Sequence, residues 1–505
     1  MAKQERESFH NYTKRIEKVK LQPLHVSSNR LSPQVFLRLG QLQDPDGSLL
    51  PSLRHLYISE NPYLDHLDLF LSPSLRTLEI GALSTNINHC ACLISFLDNA
   101  VELSPNLETL ILVDSCELPR KVFDSCSKFG RLHRLELREV AASAIDPFLH
   151  NMGSLEQHLK KFVLQERRNP LPQPYSPQST TPSRQTSAVH GLSDGMEVPA
   201  SDAIPAPSWN ITSDSSFPSA ARYNTTWIPF ATSQGLRIVK IIGTSDLIGK
   251  VVSIITSPVL RDLSITFTTN TPRMVEVIVT NKKKEKMEGM RKKAAKLAEL
   301  ITVDSVTYIL DIAINRWKAL VSISVIADTE ETAFLPEDIF KQLFLHPTVR
   351  RLEISGFDIS SMDSALSDLN SEHHISQLED LRLSTNHSHN IPFYRLRQIA
   401  AVCPRLTYLR CAVDSTSLVP QLSDPMSHQL RDLTVVGDNT GGPDMQQALL
   451  VAAYLDCIFP KLKKMEVDGD GGRSEYGREW LQVFDIVKLF QTTRLHERRR
   501  LASIL

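Results

Sequence analysis

The chain has 505 residues, with 56 Lys and Arg against 57 Asp and Glu, a net charge of −1, 41% hydrophobic residues and 22% charged residues. That balance gives no overall electrostatic pull toward nucleic acid or an anionic membrane, and the apolar content is that of an ordinary globular protein. Such a length suggests roughly three domains, unless the chain is a repeat array, which grows in one dimension and needs no such partition.

Residues 1–30 begin MAKQERESFHNYTKRIEKVK and read as a helical lead-in or cap. They lack the apolar run of a secretory signal, and no later stretch supplies about 18 consecutive apolar residues for a membrane span. An intracellular protein, cytoplasmic or nuclear, with no membrane partner is therefore expected. Over 31–164 a Leu-x-x-Leu-x-Leu pattern recurs as Leu53-Leu56-Ile58, Leu75-Leu78-Ile80, Leu107-Leu110-Leu112, Leu132-Leu135-Leu137 and Leu159-Phe162-Leu164. Residues 165–234 are rich in Pro, Ser and Thr and read as a disordered insertion; Trp209, Trp227 and Phe230 near its end either re-enter the core or meet a partner.

The pattern resumes over 235–475 as Leu260-Leu263-Ile265, Val349-Leu352-Ile354, Leu378-Leu381-Leu383, Leu406-Leu409-Cys411, Leu430-Leu433-Val435 and Leu462-Met465-Val467. Weaker strands at 236–241 and 320–325 fill the gaps. Within this half, 281–300 carries Lys282, Lys283, Lys284, Lys286, Arg291, Lys292, Lys293 and Lys296. It reads as a solvated basic helix, with a nuclear-import signal as the alternative. Residues 476–505 read as a C-terminal helical cap.

Successive motifs mostly stand about 22 to 32 residues apart, the period of leucine-rich repeats. Side chains alternate along a strand, so the second and third apolar positions, two residues apart, share the inward face. Neighbouring units must cover that face, because one unit alone cannot. Apolar residues at helical spacing over 145–155, 336–345, 392–402 and 444–458 place helices between strands, and Pro404 and Pro460 stop two of them just before the next motif. Eight residues after the first Leu stand Asn61, Ser115, Thr268, Asn386, Asp414, Asp438 and Asp470, polar groups suited to bonding the turn that leaves a strand, against Leu83, Val140 and Phe357. The expected fold is an α/β leucine-rich-repeat-like solenoid, or horseshoe, with parallel strands on the concave face and helices on the convex face.

Searches for chemistry assign no catalytic residue, cofactor or metal. Gly243 to Lys250 looks like a phosphate loop, but five residues separate its glycines and Val251 replaces the magnesium-binding hydroxyl. Asp468 to Gly472 suggests a calcium loop without its later ligands. His373, His374, His387 and His389 flank one strand on loops that diverge. The seven cysteines, an odd number without close pairs, read as reduced and mostly buried thiols.

Ser8 to Ile16, Leu31 to Phe36, Leu50 to Leu56 and the C-terminal Trp480 to Arg499 resemble the F-box/leucine-rich-repeat-like proteins of mushroom-forming fungi (basidiomycetes). The resemblance spans most of the chain outside the insertion. It implies repeats that select a protein target and an N-terminal F-box that docks on the Skp-type linker of a cullin ubiquitin ligase. No F-box is expected in this chain: none precedes Phe9, and Leu335-Pro336-Glu337-Asp338-Ile339-Phe340 is followed within about a dozen residues by a repeat strand. That stretch reads as a solenoid helix with Pro336 in its first turn.

The expected function is that of a non-enzymatic protein–protein interaction scaffold, with the substrate-recognition part of a ubiquitin-ligase adaptor as its finer form. The sequence does not name the protein target, and it implies no nucleic acid partner. The outward strand positions Arg134, Glu136, Arg138, Arg351, Glu353, Asp380, Arg382, Tyr408, Arg410, Lys464 and Glu466 are the candidate partner-binding residues, with mixed charge suited to a specific protein surface. The competing readings are a loop-borne hydrolase or transferase site, and a degenerate family copy with no partner.

Overall fold

The computed structural model describes residues 3–21, 33–42, 48–58, 64–81, 87–113, 120–141, 158–167, 235–268, 304–328, 333–371, 375–384, 390–421, 425–437, 442–468 and 475–503. These belong to one compact unit made of Met1–Arg168 and Pro229–Leu505. The expected insertion over 165–234 from residue 168 on, the basic run at 281–300, the helix at 145–155 and all four loop histidines lie outside the described residues.

Among the described residues the core is one sheet of fourteen strands. Its first half holds β1 (Lys18–Leu21), β2 (His55–Ile58), β3 (Thr77–Ile80), β4 (Thr109–Val113), β5 (Arg134–Val140), β6 (Lys161–Glu166) and β7 (Ile238–Gly243). Then come β8 (Asp262–Thr268) and β9 (Ser322–Asp328). The short strands β10 (Ala333–Phe334) and β12 (Phe357–Asp358) pair separately, and β11 (Arg351–Ser355), β13 (Asp380–Ser384), β14 (Tyr408–Ala412), β15 (Asp432–Val436) and β16 (Lys464–Asp468) complete the large sheet. Each of its strands pairs in parallel with its neighbour in chain order. Parallel neighbours require a crossover after every strand, and helices such as Ile87–Leu103, Ser245–Ile254, Glu337–Leu345, Phe393–Val402 and Met445–Ile458 supply it.

The motif sets the register. Leu56, Leu78, Leu110, Leu135, Phe162, Val239, Leu263, Ile323, Leu352, Leu381, Leu409, Leu433 and Met465 form one continuous column across the sheet, and all are buried. In many motifs the first Leu closes the turn ahead of its strand: the amides of Leu75, Leu107, Leu260, Leu406 and Leu462 each donate to the carbonyl three residues back. The residue at that earlier position also ties one turn to the preceding one. Ser257 Oγ donates to the Leu236 carbonyl at 2.7 Å, and the Ser72 amide donates to Ser104 Oγ at 3.2 Å. Polar groups buried in these turns are thereby satisfied.

Two boundaries differ from expectation. The sheet begins at Lys18, not after residue 31, because β1 pairs with β2, and Ile16-Val19-Leu21 carries the motif's spacing with Ile and Val at its first two positions. The first run of strands ends at Glu166, not at 164, since β6 continues beside β7 as far as Gln165 and Glu166. Helix Glu337–Leu345 has Pro336 at its cap, one residue ahead of the first turn, where proline's lack of an N–H costs nothing. Asp444 caps Met445–Ile458 by accepting from the Gln447 amide at 2.7 Å. No helix among the described residues is long and apolar enough to cross a membrane.

Candidate functional site

With the motif leucines buried on one side, the alternate residues line the open face in columns fixed by register. One column runs Lys18, His55, Thr77, Thr109, Arg134, Lys161, Ile238, Asp262, Ser322, Arg351, Asp380, Tyr408, Asp432, Lys464; the next is offset by two residues on every strand. Strands in such a ladder stand about 4.8 Å apart, so side chains on adjacent strands touch. All eleven candidate residues lie on this face, and the structure gathers them into four groups.

The first group is on β5. Glu136 accepts from Arg134 Nε at 2.7 Å and from Arg138 Nε and Nη2 at 3.1 and 2.5 Å, while Lys161 Nζ stands 3.8 Å away. Glu136 was expected on display, and here the structure corrects the sequence: it faces outward, but its side chain is only 3% exposed, covered by Arg134 and Arg138, whose side chains are 39% and 38% exposed. Burial pushes its carboxyl up, but hydrogen bonds from Arg134 and Arg138 and their charges outweigh that and leave it below the usual range.

The second group spans β11 to β15. Asp380 joins Arg351 Nε at 2.9 Å and Arg382 through two bonds of 3.1 Å; the Asp380 hydrogen bond raises the Arg382 guanidinium's pKa further, against the cost of burial. The Arg382 guanidinium lies over the Tyr408 ring, 5.0 Å from its centroid, and the Tyr408 and Thr434 hydroxyls are 3.2 Å apart. Glu353 accepts from Ser324 Oγ at 2.9 Å. In the third group Arg410 pairs with Asp468, and in the fourth Lys464 pairs with Glu466 at 2.5 Å, which raises the lysine's pKa. The charged residues of the face are thus largely paired with one another.

Sequence reasoning missed Lys161, Asp468, Ser324 and Thr434. Lys161 was visible as the residue ahead of Phe162 in its motif, the position Arg134 holds in the motif before. Asp468 was visible as the residue after Val467, the position Arg138 holds in its own motif. The cation–π pair of Lys18 over Tyr57, 4.8 Å from the ring centroid, lies on the first strand, whose Ile16-Val19-Leu21 was not counted among the motif copies.

Strand β7, the turn and helix Ser245–Ile254 have the layout of a phosphate loop, but the Glu166 carboxylate occupies the turn, accepting from the Thr244 amide at 2.7 Å. A Cβ on Gly243 would stand 2.6 Å from Leu247 and 2.7 Å from Glu166, so an anionic phosphate would meet a carboxylate where it needs space and N–H donors. No group of three His, Cys, Asp or Glu able to hold a metal occurs among the described residues. Burial pushes the thiols of Cys126, Cys403 and Cys411 up to about 12, which leaves them protonated and poor nucleophiles. The open groove of about 480 Å³ between Met445–Ile458 and Glu475–Ala502 has Asp456 already paired with Arg494.

No family model matches the chain, and no curated protein matches it. Among solved structures it is similar to a chain from the crystal structure of the Rad7 and Elc1 complex in yeast, with 15% identity, a TM-score of 0.33, and coverage of 86% of this chain and 89% of that one.

Proposed function

We propose that this protein is a non-enzymatic interaction scaffold that binds another protein on the open face of its sheet. The observation that carries the reading is the unbroken register of fourteen strands, which arrays outward side chains in continuous columns. A parallel sheet ordinarily has both faces covered; here the motif side is buried from β2 to β15, while Arg134, Arg138, Arg351, Arg382, Tyr408, Arg410, Lys464 and Glu466 keep contact with solvent. Tyr408 beneath Arg382, with Arg410 one position along the same column, is the kind of rigid aromatic–guanidinium surface that dominates interface energies. The resemblance to F-box/leucine-rich-repeat-like proteins makes the finer form of the reading a target-selecting role beside a cullin-type ubiquitin ligase.

Affinity capture with the full chain and mass spectrometry, repeated with R382E/R410E, tests this. Capture of a defined protein set that the variant loses, with unchanged circular dichroism, is expected, and a cullin complex in that set supports the adaptor role. Identical capture by the folded variant overturns the assignment of the face.

A further inference from the structure

We infer that the β5–β6 cluster of Arg134, Arg138 and Lys161 is a clamp for an anionic side chain, a carboxylate or a phosphoryl group, carried by the bound protein segment. The inference rests on the open face being the binding surface, and it names the chemistry one part of that surface takes.

Charge balance is the first argument. The group around Asp380 sets Arg351 and Arg382 against Asp380 and Glu353, and Arg410–Asp468 and Lys464–Glu466 are matched pairs. The β5–β6 group sets three cations against Glu136 alone. Lys240 adds a further cation in the column of Glu136, beyond Val163. Among the described residues this surplus is positive, faces outward and exceeds that of Lys18 and Lys20 against Glu79 at the first edge of the sheet.

Geometry is the second. Glu136 engages Nε and Nη2 of both arginines, so it uses one edge of each guanidinium and leaves the Nη1 hydrogens to a second acceptor. An anchored guanidinium of this kind is already oriented for planar, paired hydrogen bonds to a carboxylate or phosphate. The floor is dry: Ile111, Glu136 and Val163 are successive members of one column and are 6%, 2% and 7% exposed. A low-dielectric floor strengthens the ion pairs formed above it.

The backbone is the third. The pairing of β5 with β6 shifts between Leu137 and Val140, a bulge beside Arg138, and Glu139 in that bulge has φ +56, the one positive-φ residue other than glycine among the described residues. Bulges re-aim side chains, and such backbone strain persists where the surrounding structure fixes it, often at binding sites. Here it sits next to the guanidinium that closes the clamp.

The test is calorimetric titration of the full chain with two capped peptides of one sequence, one carrying phosphoserine and the other glutamate at the same position. Binding by either peptide that weakens about tenfold in R134Q/R138Q, and several-fold in K161Q, is the expected result. K161Q leaves the Glu136 hydrogen bonds intact and so keeps the test valid if the double variant unfolds. Tighter binding of the phosphopeptide assigns the clamp to phosphoryl groups, and the reverse to carboxylates. Failure of both peptides on the wild type, or equal affinity for wild type and K161Q, overturns the clamp. If protein capture through Arg382 and Arg410 persists in that case, only the clamp falls; if R382E/R410E also leaves capture unchanged, the reading of the face falls with it.

Discussion

Replacing Glu136 by glutamine keeps the side chain's volume and removes its charge. In the wild type that carboxylate is 3% exposed and accepts from two guanidinium groups. Removing one partner of a fully buried ion pair costs about 3–5 kcal/mol. The arginines here are more than a third exposed, so water screens the three cations left behind, and a discounted cost of about 2 kcal/mol is expected. In a solenoid each repeat contacts only its neighbours, so the loss is local. Hydrogen exchange read by mass spectrometry on peptides covering β4, β5 and β6 should therefore show exchange faster by roughly thirty-fold at pH 7, with β13 to β16 unchanged. The pH dependence follows from the same carboxylate. Its folded pKa lies below the ordinary 4.5, so its stabilisation is complete above 4.5 and disappears as pH falls through the folded value. Wild-type protection of β5 should fall in that acid range, and E136Q should lack that part of the fall. Exchange in E136Q within about three-fold of wild type at pH 7, or parallel acid profiles for the two proteins, refutes the reasoning.

Gly356 has φ +77, and a Cβ there would stand 1.9 Å from the Ala327 carbonyl oxygen. G356A must part β9 from β11, so a loss of about 3 kcal/mol or more is expected in urea unfolding; an unchanged midpoint contradicts the geometry. The buried Cys403 and Cys411, with pKa raised to about 12, should resist a thiol-reactive dye at pH 8 until the chain is unfolded, and rapid labelling of either in the native protein argues against their placement. Glu139 at φ +56 should accept glycine within about 1 kcal/mol but lose about 1–2 kcal/mol with valine, since a β-branched side chain resists that backbone; thermal melts that rank valine at or above glycine refute the bulge.

The repeating leucines specified the fold because burial on one face of a strand imposes a period of two, and a repeat spacing of some 25 residues leaves room for one crossover. The expected helix over 444–458 is present as Met445–Ile458 behind its Asp444 cap, and Cys411 is buried in its motif position. Those features depend on local pattern, which a sequence carries directly. The same alternation assigned the eleven candidate residues to the outward face.

What the outward residues do to one another was decided only by register. Arg410 meets Asp468, 58 positions later in the chain, and Ser324 meets Glu353, 29 positions later; sheet pairing sets Ser324 beside Glu353 and brings Asp468 within reach of Arg410 across β15, and no spacing rule announces either. Glu136 carried the same outward signal as Arg134, yet two guanidinium groups fold over it, because a carboxylate flanked at i−2 and i+2 on one strand is within reach of both. The bulge at Glu139 arises from an extra residue on β5 relative to β6, a mismatch between two strands that neither strand's sequence contains alone. The sequence by itself thus determined which side chains face inward and which outward, through the periodicity of burial, whereas the ion pairs, the buried carboxylate and the surplus of positive charge were set by the tertiary structure, since they depend on which strands come to lie side by side.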